Sequence, residues 1–191
     1  YHYRELLAES GDMDIPARAG IGASYDISPA WTVTTDIVYN FFEDVRSISN
    51  VGPNLAGDPN GVMDPATQSL GLPGGLGFGW DDVTVFKIGA VYEHNDKFTY
   101  RFGYAHNTQA FENDELAFNV LAPAVIRDHA TAGFTYRPNG KDNQQVTFTF
   151  MHAFEASQSG AYPADFNGGT VGRTSLKMYQ NAFDFQYSWT Y

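Results

Sequence analysis

The chain has 191 residues, with 11 Lys and Arg against 22 Asp and Glu, which gives a formal net charge of −11. This acidity predicts that nucleic acid is not a partner, and the absence of cysteine excludes disulfides and thiolate metal sites. Charged residues are only 17% while aromatic residues are 16%, and no stretch approaches the ~18 apolar residues of a transmembrane helix. This composition does not suit a soluble enzyme.

Apolar and polar residues alternate along most of the chain, which predicts β-strands with one apolar and one polar face. The alternation is clearest at residues 183–190, where Phe, Phe, Tyr and Trp alternate with Asp, Gln, Ser and Thr. In chain order the pattern predicts seven strands, near residues 17–28, 30–44, 82–95, 97–109, 128–137, 144–156 and 175–191.

The connections between these strands alternate between short turns and long loops. Residues 1–15 form the first loop, in which Tyr3, Leu6 and Leu7 have the i, i+3, i+4 spacing of a short amphipathic helix. Short turns on one side and long loops on the other are typical of outer-membrane barrels, in which the loops are extracellular and the turns periplasmic. The further long loops are predicted at residues 45–81, 110–127 and 157–174.

The predicted fold is therefore all-β, a transmembrane antiparallel up-and-down β-barrel that forms a single partial domain over residues 1–191. One face carries charged residues that lipid does not tolerate, namely Asp36, Lys87, Glu93, Arg101 and Asp184. Aromatic residues gather beside the short turns, as in an interfacial girdle: Tyr25, Trp31, Tyr92, Phe98, Tyr136, Trp189 and Tyr191. A soluble β-sandwich or a lipocalin-like barrel is the alternative fold.

The candidate ligand-binding residues lie on the polar face and in the apolar loop at residues 111–126. Lys87 and Arg101 have the chemistry to bind a substrate carboxylate, and the alternative is that they pair with acidic residues of the same face. Phe118 and Leu121 belong to a loop so apolar that it either packs over the barrel mouth or contacts an apolar ligand.

Catalysis and metal binding are not predicted. His129 and His152 have no nucleophile elbow or metal-binding helix around them, and residues 58–64 lack the ligand spacing of a calcium loop. We therefore expect no catalytic residue, no bound metal and no cofactor, and we do not expect an enzyme.

Several stretches resemble the FadL/TodX family of outer-membrane transporters for long-chain fatty acids and aromatic hydrocarbons. Their order and spacing, more than any single motif, carry the resemblance. They are Tyr3–Glu9, Asp14–Pro16, Phe78–Val83, Val85–Tyr92, Phe102–His106, Asn119–Val125, Met151–Phe154 and Leu176–Gln180.

The resemblance implies a fourteen-stranded barrel of which this chain forms the C-terminal half, with the N-terminal hatch and the first strands absent. Seven antiparallel strands cannot close, because the first and last would run parallel. In this family ligands are captured in an apolar loop groove and pass to an interior pocket before leaving sideways into the membrane. Lys87 would face the ligand carboxylate, and the helix with Tyr3, Leu6 and Leu7 would help to form the groove.

The function implied is transport of long-chain fatty acids or aromatic hydrocarbons across the bacterial outer membrane. The alternatives are a water-filled porin for small polar solutes and a non-transporting structural or adhesin barrel. The expected partners are the hydrophobic substrate, outer-membrane lipid and lipopolysaccharide, and the barrel assembly machinery, which would read the C-terminal strand ending in Tyr191. The full-length protein is expected to be a monomer.

Overall fold

A computed structural model describes residues 13–52, 70–73, 75–138, 140, 143–162 and 172–190. These residues contain seven strands, β1 (Arg18–Ser28), β2 (Trp31–Asn40), β3 (Val83–Asn95), β4 (Phe98–Asn107), β5 (Asp128–Tyr136), β6 (Gln144–Tyr162) and β7 (Gly172–Trp189). The same residues include two four-residue helices, α1 (Arg46–Ser49) and α2 (Leu116–Asn119). The predicted all-β class and the seven strands are confirmed.

The strands form one antiparallel sheet in the order β1-β2-β3-β4-β5-β6-β7. Each strand pairs with the next along the chain, so the sheet is a simple meander. In a meander of seven strands the first and last point the same way, and within the described residues β1 and β7 are the two edges of the sheet. The open form that the strand count predicted is therefore the form observed.

The register places apolar and polar residues on opposite faces across all seven strands. We call the apolar face the outer face; it includes Ile21, Ile37, Phe86, Phe102, Phe150, Phe183 and Phe185. We call the other face the inner face; it includes Gly22, Asp36, Lys87, Arg101, Gly103, Thr131 and Thr149.

Burial is inverted relative to a soluble protein. Phe183 and Phe185 on the outer face are each 71% exposed, whereas Thr99 and Thr135 on the inner face are 1% and 2% exposed. A sheet that exposes its aromatic residues and buries its threonines is suited to a wall with hydrocarbon outside and a polar interior. The predicted orientation of the two faces follows from this inversion.

The aromatic girdle is present at the end of the sheet that carries the short turns. Trp31 stacks on Tyr92 with ring centroids 4.5 Å apart, and Phe98 stacks on Tyr136 at 4.9 Å. Tyr100 lies beside both Tyr92 and Phe98, so the rings form a continuous ladder over β2 to β5. Amphipathic rings of this kind are enriched at membrane–water interfaces.

Strands β6 and β7 continue further than their alternation predicted. The sequence placed a loop at residues 157–174, but β6 runs on to Tyr162 and β7 begins at Gly172. A β-bulge between Ala153 and Ala156 resets the register, and the hairpin then continues with Gln158 opposite Leu176. By contrast β2 ends at Asn40, four residues earlier than predicted, because the chain turns so that Phe42 packs against Trp80 at 5.2 Å.

The hydrophobic core lies in the long loops and not within the sheet. We call residues 78–80 and 110–125 the loop cap. The loop cap supplies most of the buried residues of the core, and Val83 of β3 packs with them. Gly160 of β6 allows the cap to approach the inner face, since a Cβ there would overlap the carbonyl oxygen of Asn113. The cap therefore covers the long-loop end of the inner face. The buried residues of the hydrophobic core are Val83, Ala110, Phe111, Leu116 and Val125.

In the described part of the chain, no helix combines the length and apolar character needed to cross a membrane.

Candidate functional site

Strand pairing brings one row of chemically distinct residues together across the inner face. Asp36 of β2 lies opposite Gly22 of β1 on one side and opposite Lys87 of β3 on the other. Lys87 in turn lies opposite Ala105 of β4, which lies opposite His129 of β5. We call these five residues the Lys87 row.

A hollow of about 280 Å³ opens on the inner face at the Lys87 row. The polar residues that line it from the inner face are Thr34, Asp36, Lys87, His129 and Thr131.

The base of the hollow is formed by Gly89 and Gly103, which are direct cross-strand partners. A Cβ on Gly103 would lie 2.6 Å from Thr131 Oγ1, and one on Gly89 would lie 2.9 Å from Thr34 Oγ1. Hydroxyl groups therefore fill the space that the two glycines leave. A side chain at either glycine would push a hydroxyl away from the base of the hollow.

Lys87 and Asp36 are neighbours, yet they do not form an ion pair. The Asp36 carboxylate leans over Gly22 toward β1, so far that a Cβ on Gly22 would overlap its Oδ1. Among the described residues, no ion pair involves Lys87. The alternative that Lys87 serves only to neutralise a carboxylate of the same face therefore has no contact among the described residues to support it, and Lys87 is one of the residues that line the hollow.

Arg101 lies on the same face but outside the hollow. It is cross-strand to Val91 and Gly133, four residues along β4 from Ala105 of the Lys87 row. At ~3.3 Å per residue this separates Arg101 from the row by about 13 Å. Its guanidinium donates a hydrogen bond to Thr135 Oγ1 at 2.7 Å. Lys87 and Arg101 thus share a face but do not converge on one ligand group.

The predicted loop residues divide between packing and exposure. Phe118 of α2 stacks on Phe78 at 4.8 Å within the loop cap, whereas Leu121 is 74% exposed. The apolar loop therefore packs within the loop cap with one part, whereas Val120 and Leu121 are exposed. Tyr3, Leu6 and Leu7 lie outside the described residues.

A hydrogen-bond network that the sequence did not reveal holds the loop cap together. The Trp80 indole N–H donates to Asn119 Oδ1 at 2.6 Å, and Asn119 Nδ2 donates to the carbonyl oxygens of Phe78 and Glu115 at 2.7 and 2.9 Å. Asn119 is fully buried. In the sequence, only Trp80 indicates such a network, because a buried indole N–H needs a hydrogen-bond acceptor. Nothing in the sequence identifies Asn119 as that acceptor.

Glu115 ties a second loop to this network. Its carboxylate accepts a hydrogen bond from the backbone N–H of Gly52 at 2.6 Å. Burial raises the pKa of the Glu115 carboxyl above its ordinary value, and the bond from Gly52 opposes that shift. The link between the two loops therefore depends on a carboxylate that is costly to ionise where it lies.

Within the described residues, no three His, Asp or Glu side chains lie close enough together to hold a metal ion.

Comparison with known proteins gives one family and several solved structures. Residues 8–189 match the family described as outer membrane protein transport protein (OMPP1/FadL/TodX). None of the curated proteins compared matches the sequence.

Among solved structures, the chain is similar to the P. putida toluene transporter TodX, with 18% identity and a TM-score of 0.60 over 94% of this chain and 36% of that one. It is also similar to the deltaS2 mutant of the TodX monoaromatic hydrocarbon channel, with 19% identity and a TM-score of 0.56 over 92% and 36%. At this identity the likeness concerns the fold, and the chain spans little more than a third of the length of either structure.

Proposed function

The chain belongs to the FadL/TodX family of outer-membrane transport proteins, and from this premise we propose that it forms part of the wall of a channel for hydrophobic compounds. The substrates proposed are long-chain fatty acids or aromatic hydrocarbons. The observation that carries the proposal is the two-faced sheet, which exposes apolar side chains outside and holds a polar hollow inside, beneath an apolar loop cap.

Capture is proposed to take place at the loops. Val120 and Leu121 present apolar surface outside the cap, and Phe118 lies just behind them in its stack with Phe78. Removing an apolar solute from water onto such a surface is favourable by ~25 cal/mol per Å² buried. Tyr3, Leu6 and Leu7 are proposed to complete this capture surface.

Passage is proposed to follow the inner face from the cap toward the short turns. Lys87 is proposed to bind the carboxylate of a fatty acid. Its position in the lining of the hollow and its lack of an ion pair among the described residues support this role. A neutral hydrocarbon would use the same path without this contact. A substitution of Lys87 should therefore affect the transport of fatty acids but not that of neutral hydrocarbons.

The outer face is proposed to contact lipid and the base of the lipopolysaccharide layer. Strand β7, with Phe183, Phe185 and Tyr187 exposed in one register, is proposed as the strand that the barrel assembly machinery reads. The full-length protein is proposed to act as a monomer, as the sequence predicts.

Uptake by cells tests the function. Bacteria lacking their own hydrocarbon uptake would express the full-length gene, and initial rates of oleate and toluene entry would be compared with an empty vector and with Lys87→Ala. We expect entry of oleate, toluene or both in the wild type. If oleate enters, Lys87→Ala lowers its rate by roughly ten-fold, the effect of losing one charge-assisted hydrogen bond, without changing that of toluene.

Two alternatives make different predictions in the same strains. A water-filled porin would give ion conductance in planar bilayers and no uptake of either compound. A structural or adhesin barrel would insert correctly and take up neither, and it would show no such conductance. A correctly inserted wild type that carries neither oleate nor toluene would remove the transport proposal.

A further inference from the structure

His129 lines the hollow from the β5 end of the Lys87 row, whereas Asp36 lines it from the β2 side. Neighbouring strands lie ~4.8 Å apart, so about 10 Å separates the backbone of His129 from that of Lys87. Ala105 of β4 is the residue between them in the row. Since Ala105 contributes only a methyl group, the row leaves space between the two longer side chains, and that space belongs to the hollow.

The imidazole of His129 is not tied to another group in the described part of the chain, where it forms no hydrogen bond and no ion pair. Two other histidines on these strands differ in this respect. His106 Nδ1 lies 2.7 Å from Asp128 Oδ1, and His152 Nδ1 lies 2.8 Å from Asn181 Oδ1. Both lie on the outer face, since His106 is opposite Phe86 and His152 follows Phe150 by two residues on β6.

The strands packed against β5 place alanines beside His129. Its cross-strand partners are Ala105 on β4 and Ala153 on β6. Lys87 shares the hollow with His129, and the Asp36 carboxylate leans away from both over Gly22. A protonated His129 therefore adds positive charge to a hollow whose lysine has no ion pair among the described residues. The charged residues around His129 on the inner face and just before β5 are Asp36, Lys87, Arg101, Arg127 and Asp184.

We propose that His129 is a second binding group for a ligand carboxylate in this hollow and that it acts in its protonated form. The proposal rests on the transport function proposed above, which brings the ligand along the inner face. Histidine is the side chain whose charge ordinarily changes between about pH 5 and about pH 8. Lys87 alone would hold the carboxylate at the upper end of this range, and Lys87 and His129 would hold it together at the lower end. Binding then takes up a proton, so the affinity rises as the pH falls.

Octanoate binding to the purified full-length protein in a neutral detergent tests the proposal. An alkyl carboxylate is ionised at both about pH 6 and about pH 8, so the charge of this probe does not change between the two conditions. We expect octanoate to bind the wild type about five-fold more tightly at the lower pH. One charge-assisted hydrogen bond is worth about ten-fold, and partial protonation of a histidine reduces this figure. Octanol has the same chain without the charge and should show no such dependence on pH.

Substitutions assign the dependence on pH to one residue. His129→Gln should bind octanoate with the same affinity at both pH values. His129→Lys keeps a positive charge at both, and should bind at the upper pH as tightly as the wild type does at the lower one. Lys87→Gln should weaken binding at both pH values and keep their ratio. His152→Gln is the matched control, because this histidine lies on the outer face and should leave the wild-type ratio unchanged. Melting temperatures establish that each variant is folded.

The proposal is overturned if the wild type binds octanoate equally at both pH values or does not bind it. It is also overturned if folded His129→Gln keeps the wild-type ratio, or if His152→Gln loses it. Failure of the transport function is a separate result. A wild type that carries neither oleate nor toluene into cells would remove that function, and octanoate binding would still decide whether His129 contacts a carboxylate.

Discussion

The absence of a side chain at Gly22 leaves room for the Asp36 carboxylate to lean toward β1. The Asp36 carboxylate occupies the space that a Cβ on Gly22 would take, and this keeps it turned away from Lys87 across the strand pair. A glycine on β1 thus helps to leave Lys87 on β3 without an ion pair among the described residues.

Gly22→Ala should therefore weaken carboxylate binding without touching Lys87. The new methyl group displaces the Asp36 carboxylate toward Lys87, an ion pair forms, and oleate entry falls by roughly three-fold to ten-fold, as expected when one charged hydrogen bond is lost to a competitor. Oleate uptake rates measure this. Gly20→Ala is the control, since a Cβ there meets Val38 Cγ2 at 3.3 Å and no carboxylate. Equal loss in both variants would show that the effect is one of strand packing.

Acid should stabilise the loop cap through Glu115. The folded cap raises the pKa of this carboxyl by burying it, so the folded state binds the proton more tightly than an unfolded loop does. The stability that this linkage contributes is fully present below the unfolded pKa and is lost as the pH rises through the raised pKa.

Glu115→Gln should remove that pH dependence while keeping an oxygen that accepts the Gly52 N–H. Hydrogen-exchange protection of the Gly52 amide, corrected for the intrinsic rate, would be measured from about pH 4 to about pH 7. We expect protection to fall across this range in the wild type and to stay level in the variant. A parallel decline in both proteins would assign the effect to another group.

At the scale of elements, the buried side-chain amide of Asn119 holds helix α2 in place. The hydrogen bonds within this four-residue helix contribute less. Isolated helices of this length have no stability in water. Asn119 bridges the Trp80 indole to the carbonyl oxygens of Phe78 and Glu115, and so joins the two segments of the loop cap.

Asn119→Ala should loosen the cap by about 2 kcal/mol, because the Trp80 N–H is left buried without an acceptor. Local opening of the cap, followed by hydrogen exchange at the α2 amides and the Trp80 indole, measures the change. Asn113→Ala is the control, since that side chain is exposed on the same loop. Equal protection of the cap in wild type and Asn119→Ala would contradict the bridging role.

The alternation of residues predicted the strands and their faces because a side chain must alternate wherever lipid lies on one side and a polar lumen on the other. It failed for the β6–β7 hairpin beyond the bulge at Ala153 and Ala156. Residues 157–160 are polar or glycine on both faces. Once the hairpin leaves the apolar band, water accepts either face, and the period carries no signal.

The alternation of residues predicted that Lys87 and Arg101 lie on one face of the sheet. It could not predict which residues lie beside each of them on the neighbouring strands. The row depends on register, and irregularities at Asp26–Ser28 and Glu93–Asn95 shift it in two of the hairpins. The contacts of Asn119 and the lean of Asp36 over Gly22 depend in turn on how loops and neighbouring strands meet, which no local pattern reports.

At the scale of the whole molecule, the sheet exposes its aromatic residues and turns its hydrogen-bonding residues inward. The loop cap covers the long-loop end of the inner face, and Arg101 lies toward the short-turn end. The path proposed for the ligand along the inner face passes the hollow at Lys87. The proposed function depends on which of the two faces meets hydrocarbon.

Spin labelling tests that orientation most directly. The chain contains no cysteine, so a single label can be placed by Phe150→Cys on the outer face or by Thr149→Cys on the inner face of β6. In lipid vesicles, relaxation of each nitroxide by oxygen, which concentrates in the bilayer, is compared with relaxation by a water-soluble nickel chelate. We expect oxygen to dominate at residue 150 and the nickel chelate at residue 149. The opposite ranking would mean that the aromatic face encloses the interior, and the account would be wrong.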